Sequence, residues 1–454
     1  MTTSAGTSVA AIHARLDRLP VTRRHRFVLV AVGIGIFFDL YEVFLAGTLA
    51  TVLGKEFGVT GTAQKLVLAS VFVGAFVGAI TLTRLADRVG RRRAFFLTLG
   101  IYSLFSVLGA FSPNVEMLIV CRFLAGIGIG AELPLCDAYL SDLLPARVRG
   151  RMIAWAYTVG FCGVPIAGLL ARVIAPHSFL GLEGWRWMFV IGGLGALLCW
   201  LMRRGLPESP RWLASVGRNE EADAAVRTFE DAARAEHGTL DEPEPAPEAA
   251  AAKREPIRTL FRRPWRRRTA MLWIFQLFQT FGYYGFGTLV PLVLAAKGYD
   301  IVQGLTFTAL SFLGYPIGSA LSIPLMERVQ RKTLIVGAAL AMLVLGLGFG
   351  YAGNPVLIVV LGFAYTVVSN LFSNGFHVYS GELYPTTLRA TGAGSAYSLS
   401  RLATAVMPFV LVPLLNSAGP TAVFVAIAIA MVIVAVDVAV LGPRTTGRSL
   451  AELT

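Results

Sequence analysis

Long apolar runs alternate with short polar stretches along almost the whole chain, and this alternation predicts its elements. Runs of spanning length lie near 27–53, 65–83, 94–112, 116–140, 152–175, 186–203, 269–295, 303–326, 333–352, 355–379, 391–416 and 420–442. A helix needs roughly 20 apolar residues, at ~1.5 Å each, to cross the hydrocarbon core of a bilayer. The pattern therefore predicts an all-α membrane protein with twelve transmembrane helices. One connection stands apart. Pro207-Glu208-Ser209-Pro210-Arg211-Trp212-Leu213 opens a polar stretch that runs to Arg268. Within it, Asn219-Glu220-Glu221-Ala222 starts a segment rich in helix formers, and Asp241-Glu242-Pro243-Glu244-Pro245 reads as flexible linker. The expected organisation is an N-terminal segment 1–26, a six-helix half 27–203, a linker with short helices 204–268, a second half 269–442 and a tail 443–454.

The two halves repeat at a constant offset of 240 positions. Asp87-Arg88 maps to Glu327-Arg328, and Asp142-x-x-Pro145-x-x-x-Arg149 maps to Glu382-x-x-Pro385-x-x-x-Arg389. Gly74 and Gly78 map to Gly314 and Gly318, positions where small residues let helices approach closely. A register kept through several loops and helices predicts two parallel six-helix repeats with a binding site between them near the midplane.

Composition narrows the classes. The chain is 55% hydrophobic and 15% charged, too little charge for a soluble protein of this length. A net charge of +13 suggests nucleic acid until the positions are inspected. The basic residues crowd into alternate loops, as in Arg23, Arg88, Arg91, Arg147, Arg149, Arg262, Arg263, Arg328 and Arg389. That is the positive-inside pattern, which predicts cytoplasmic termini, a multi-pass inner-membrane protein bathed in lipid, and no nucleic-acid partner. The four cysteines lie in apolar runs and imply packing, not a disulfide framework. No nucleophile–base pair or metal-ligand cluster is evident, which argues against an enzyme.

The polar turn Arg84-Leu85-Ala86-Asp87-Arg88-Val89-Gly90-Arg91-Arg92-Arg93 resembles the loop signature of the major facilitator superfamily, with Thr83 where the family's first Gly usually stands. Its second copy strengthens the resemblance, which spans all twelve runs. What it implies is alternating access, with a gate formed by Asp87, Arg91, Asp142, Arg149, Glu208, Glu327, Arg328, Glu382 and Arg389.

Ionisable side chains inside spans cost several kcal/mol unless they are paired or face water, so each is informative. Asp39 and Glu42 share one face of the first run. Asp39 lies ~20 Å from the start of its run, and Arg122 lies ~9 Å along the fourth, which runs the other way, so the two reach similar depth. An Asp39–Arg122 ion pair is expected on that ground. The alternatives are a purely structural pair, or Glu42 or Glu132 as the proton carrier. The run from Arg122 through Gly126, Gly128, Gly130 and Glu132 resembles the fourth-helix signature of proton-coupled members.

In the second half Gln279 stands opposite Asp39 in register, and Gln276, Gln279 and Tyr283 share a face with Tyr284 beside them. Arg401 lies ~15 Å into its run with no acid evident at that depth, and its fork suits a carboxylate. Asn370, Asn374, His377 and Tyr397 complete the polar set. The stretch from Thr391 to Arg401 is similar to the eleventh helix of animal organic-anion transporters, and the overall pattern looks most like bacterial metabolite–proton symporters, among them the nicotinate carriers. The resemblance implies a monomer importing a small aromatic monocarboxylate with a proton and no cofactor. In it Arg401, Gln276, Gln279, Tyr283, Tyr284, Asn370, Asn374 and Tyr397 contact substrate, and Asp39, Arg122 and Glu42 carry the coupling. Two alternatives remain open: a sugar porter or exporter on the same fold, which the Pro207–Arg211 text suits, and a membrane receptor that does not transport.

Overall fold

The computed structural model describes residues 9–59, 61–243, 257–384 and 386–445. Glu244 and Pro245 of the linker expectation lie outside them, as do the side chains of Glu327 and Arg389. Spans one to four are Arg23–Thr48, Gly61–Val89, Arg91–Ala110 and Val115–Leu143. The fifth is Ala146–Phe161 continued by Gly163–Ile174, and the sixth is Gly184–Arg203. Spans seven to ten are Arg266–Ala296, Ile301–Phe312 continued by Gly314–Arg328, Arg331–Tyr351 and Pro355–Glu382. The last helix, Thr386–Leu441, counts 56 residues, and at ~1.5 Å each it is far longer than one crossing. Gly419, at φ 80°, breaks it into the eleventh and twelfth spans.

The sequence ends its helices with side-chain caps that the apolar runs lack. Asn114 accepts from the Met117 amide at 2.9 Å, and its counterpart at the 240 offset, Asn354, accepts from the Val356 amide at 2.8 Å. Each satisfies one of the donors a helix start leaves free. The glycine register survives in three dimensions too. A Cβ on Gly74 or Gly78 would lie 2.0 or 1.9 Å from the carbonyl oxygens of Phe123 and Ile127. On Gly314 and Gly318 it would lie 2.4 and 2.3 Å from those of Phe363 and Val367. The second span therefore grips the fourth as the eighth grips the tenth, through the same pair of small residues.

The first and seventh, second and eleventh, and fifth and eighth spans form the seam between the halves. The outer surface is apolar, with residues such as Val344, Ile429 and Val440 more than half exposed, as lipid contact requires. The linker folds onto one end of the bundle, which we term the linker face. There the helix Val9–Asp17 packs on the linker helices Pro210–Ser215 and Asn219–His237.

Candidate functional site

The first span presents a column of buried charge to the fourth and sixth. Arg122 Nη1 donates to Glu42 Oε1 at 3.2 Å, with both side chains 1% exposed. Ser106 Oγ donates to Glu42 Oε2 at 3.2 Å, and the guanidinium lies 5.5 Å from the Phe189 ring centroid. The expected Asp39–Arg122 pair is therefore corrected to Glu42–Arg122. Counting residues cannot separate two acids one helical turn apart, and Ser106 completes the site around the farther one. Asp39 is equally buried, and neither of its carboxyl oxygens has a hydrogen-bond partner. The cations whose fields reach it are Arg401 and Arg203.

Arg203 is a buried residue that sequence reasoning missed. It ends the sixth span, where a basic residue reads as a flank. Its Nη1 donates to Glu132 Oε1 at 2.5 Å, Thr98 Oγ1 donates to Glu132 Oε2 at 3.1 Å, and its guanidinium lies 4.1 Å from the Phe95 ring centroid. Gly35 gives it room, since a Cβ there would lie 1.9 Å from Arg203 Nη2. The signal that points to it is Glu132, a second acid deep in the fourth span that needs a cation.

Across the seam Arg401 is 2% exposed and forms no salt bridge with any described carboxylate. Its Nη1 donates to the Tyr284 hydroxyl at 3.1 Å and its Nη2 to the Tyr397 hydroxyl. Its guanidinium lies 4.8 Å from the Tyr397 ring centroid and 5.6 Å from that of Tyr284. Both tyrosines line a cavity with about 360 Å³ of empty space, counting the part open to solvent. Gln276, Gln279 and Tyr283 line it as well, joined by Phe376, His377 and Ser400. Gln279 Nε2 donates to Gln276 Oε1 at 3.0 Å, and Phe275 stacks on Phe376 with ring centroids 3.7 Å apart. Phe376 and Ser400 escaped the sequence reading because an aromatic or a serine in a membrane helix carries no distinguishing pattern.

Asn370 and Asn374 turn away from this cavity. Asn370 Nδ2 donates to the Tyr315 carbonyl at 2.5 Å, and Asn374 Nδ2 donates to Ser322 Oγ at 2.8 Å. They tie the tenth span to the eighth. Tyr365 likewise packs, stacked on Phe286 at 4.2 Å with its hydroxyl on the Gly282 carbonyl.

Phe44 and Phe72 of the first half meet Tyr283, Tyr284 and Tyr315 of the second in an aromatic layer at one end of the cavity. Beyond it, toward the face opposite the linker, the backbones touch. A Cβ on Gly47 would lie 2.7 Å from Thr288 Cα, and one on Gly168 would lie 2.9 Å from Ala309 Cα. Arg172 Nε also donates to Thr306 Oγ1 there at 2.7 Å. The structure is thus closed at the opposite face, and the cavity extends from the aromatic layer toward the linker face.

The turns on the linker face repeat as well. Arg91 pairs with Asp87 at 2.6 Å and approaches Asp142 at 3.8 Å, and at the 240 offset Arg331 approaches Glu382 at 3.5 Å. Glu208 Oε1 accepts from the amides of Arg91 at 2.9 Å and Arg92 at 3.1 Å, against Gly90 at φ 101°. Among the described residues Arg149 forms no ion pair with Asp142. It bonds Asp17 at 3.2 Å, which Arg211 also holds at 2.8 Å, so the N-terminal helix is bolted to the fifth span. Arg328 is exposed. Among the described residues, no three His, Cys, Asp or Glu side chains converge on a site for a metal ion.

Two six-helix repeats packed across a seam, with buried charges in both halves and a cavity lined by residues of the second half, have the architecture of a major facilitator superfamily transporter. The family model described as "Sugar (and other) transporter" matches residues 27–454, and the chain belongs to that family. It is 31% identical over 444 residues to the niacin transporter NiaP of Acinetobacter baylyi, covering 97% of this chain and 99% of that protein. It is 28% identical to the inner membrane metabolite transport protein YdjE of Escherichia coli, covering 97% and 98%. To the gentisate transporter of Corynebacterium glutamicum it is 30% identical, covering 84% and 80%. A structure of the E. coli xylose transporter XylE, partially occluded and inward open, shares the fold with a TM-score of 0.76 at 19% identity, covering 94% of this chain and 99% of that one. The chain is a multi-pass membrane transporter and not an enzyme.

Proposed function

We propose that this transporter acts as a monomer in the bacterial inner membrane, with the linker face cytoplasmic, and imports a small aromatic monocarboxylate together with a proton. Nicotinate is the substrate this reading favours. The observation that carries it is Arg401, a buried guanidinium without a carboxylate partner that lies behind two tyrosines lining an aromatic cavity, Tyr284 and Tyr397, and donates to both. A buried cation with no carboxylate in contact favours an anion, and the aromatic cavity walls suit a flat ring. Asp39 supplies the second half of the reading. Each half holds one central charge left over: Asp39 in the first and Arg401 in the second. A proton on Asp39 and a carboxylate at Arg401 leave both sites neutral, so substrate and proton satisfy the two halves together. The relatives named for niacin and gentisate, both aromatic acids, support the substrate class.

The competing reading is a proton-coupled sugar porter, favoured by Glu208 of the Pro207–Arg211 text and its grip on the Arg91 and Arg92 amides. Uptake into proteoliposomes separates the two. Radiolabelled nicotinate should accumulate when the outside is acidic, collapse with a protonophore, and resist competition by nicotinamide or xylose. Competition by xylose with none by benzoate supports the sugar porter and overturns the carboxylate reading.

A further inference from the structure

The seventh span is entered through a short segment that the transport reading does not use. Residues 257–268 read Ile-Arg-Thr-Leu-Phe-Arg-Arg-Pro-Trp-Arg-Arg-Arg and contain no acid. The first five form a 3₁₀ turn, Ile257–Phe261, and the seventh span begins at Arg266. Arg258, Arg262, Arg263 and Arg266 are exposed. None of the four forms a side-chain hydrogen bond or an ion pair with any described residue. The exposed arginines of the linker helix behave otherwise. Arg218 pairs with Glu221 at 2.6 Å, Arg227 with Asp223 at 2.7 Å and Arg234 with Asp231 at 3.0 Å. Charge on that helix is balanced within the protein, whereas among the described residues these four arginines at the foot of the seventh span have no such partner.

The apolar residues of the same segment fix where these arginines sit. Leu260 and Trp265 are buried, and Thr269 Oγ1 donates to the Leu260 carbonyl at 3.0 Å, which holds the turn against the seventh span. Ile257 and Phe261 point outward, 52% and 49% exposed. Phe261 packs edge-on against Trp273, with ring centroids 5.4 Å apart, and Trp273 stands on the seventh span itself. An exposed Phe leaning on a span tryptophan belongs at the boundary between hydrocarbon and headgroups. The segment thus lays two apolar side chains toward lipid and four unpaired guanidiniums along the headgroup layer. A guanidinium fork matches a phosphate, and basic clusters beside a span bind anionic headgroups.

We propose that Arg258, Arg262, Arg263 and Arg266, with Ile257 and Phe261, form a binding surface for the headgroups of anionic phospholipids at the foot of the seventh span. It is independent of which substrate the cavity takes.

The test uses the purified full chain in detergent, incubated with phosphatidylglycerol or phosphatidylcholine and read by native mass spectrometry. Wild type should retain phosphatidylglycerol in preference. The quadruple Arg→Gln variant at these positions should lose that preference by about tenfold or more, since each basic residue near a charged surface contributes measurably. The matching quadruple Arg→Lys variant should keep most of it, which separates lost charge from lost fold. Arg218→Gln/Arg227→Gln/Arg234→Gln should leave it unchanged. Equal retention by wild type and the Gln variant overturns the proposal. So does loss in the Lys variant, or displacement of the lipid by millimolar inorganic phosphate, which marks a site for free phosphate.

Discussion

Arg122 bonds Glu42 at 3.2 Å in the buried core of the first half and leaves Asp39, one turn earlier on the same helix, with no hydrogen bond to either oxygen. The two acids therefore sit in different surroundings. Glu42 is held by a cation and a serine hydroxyl, and its charge is part of the fold. Asp39 has no hydrogen bond to lose when its charge changes, and a buried carboxylate without a bonded partner is expensive. Gain or loss of a proton at Asp39 disturbs its surroundings less than the same event at Glu42.

Asp39→Asn is thus expected to fold with unchanged or slightly raised thermal stability while losing uptake driven by a pH gradient. Exchange of internal for external substrate should persist. Thermal denaturation beside uptake and counterflow in proteoliposomes checks this. Accumulation against a gradient by the Asn variant assigns the proton to Glu42 or Glu132 instead.

The Glu42–Arg122 pair should respond differently. Removing one partner of a buried pair leaves an uncompensated charge and costs about 3–5 kcal/mol. Arg122→Gln alone should therefore lower stability strongly, and Glu42→Gln/Arg122→Gln should recover much of the loss. Unfolding of the single and double variants in the same detergent measures it. A double variant no more stable than Arg122→Gln contradicts the pairing.

A pH effect is expected on the linker face, outside the membrane. Burial alone would push the Glu230 carboxyl up, but hydrogen bonds from Arg15 and Arg18 outweigh it and hold it at about 2, below its ordinary 4.5. A depressed carboxyl stabilises the folded arrangement fully above its unfolded pKa, and the contribution fades as pH falls from about 4.5 toward 2. Docking of Val9–Asp17 should loosen in that window, on top of an earlier loss as pH falls below 6.5, where His13 on the same helix, held neutral by burial and Arg211, is driven to charge. Hydrogen exchange of the helix amides reads it out. Glu230→Gln should show the loosened exchange already at pH 7.

Much of the architecture was legible because it is written twice. The Gly74/Gly78 and Gly314/Gly318 approaches, the Arg91–Asp142 and Arg331–Glu382 contacts, and the Asn114 and Asn354 caps all keep the 240 offset. The site was less legible because it is where the halves differ. Asp39 faces Gln279 in register and Arg401 has Phe161 as its counterpart, so the repeat gives no guidance there. Depth along a helix, counted at ~1.5 Å per residue, left Arg122 a choice of acids one turn apart. Arg203 was hidden by its place beside Arg204, where it looks like a flanking charge. Asn370 and Asn374 lie on one helix face, but that face meets the eighth span and not the cavity.

The central claim is that Arg401 supplies the charge that recognises a carboxylate. The measurement that tests it is equilibrium binding of nicotinate and nicotinamide to wild type, Arg401→Ala and Arg401→Lys, by calorimetry or thermal shift. A lost charge-assisted hydrogen bond is worth about 1.5–3 kcal/mol, and each 1.4 kcal/mol is tenfold, so Arg401→Ala should weaken nicotinate by roughly ten- to hundredfold. Arg401→Lys should restore only part, since Lys keeps the charge without the fork that now spans Tyr284 and Tyr397. Nicotinamide should bind wild type weakly and lose little in either variant. Equal losses for acid and amide, or no loss for either, would make Arg401 a structural brace for the two tyrosines and contradict the assignment of an anionic substrate.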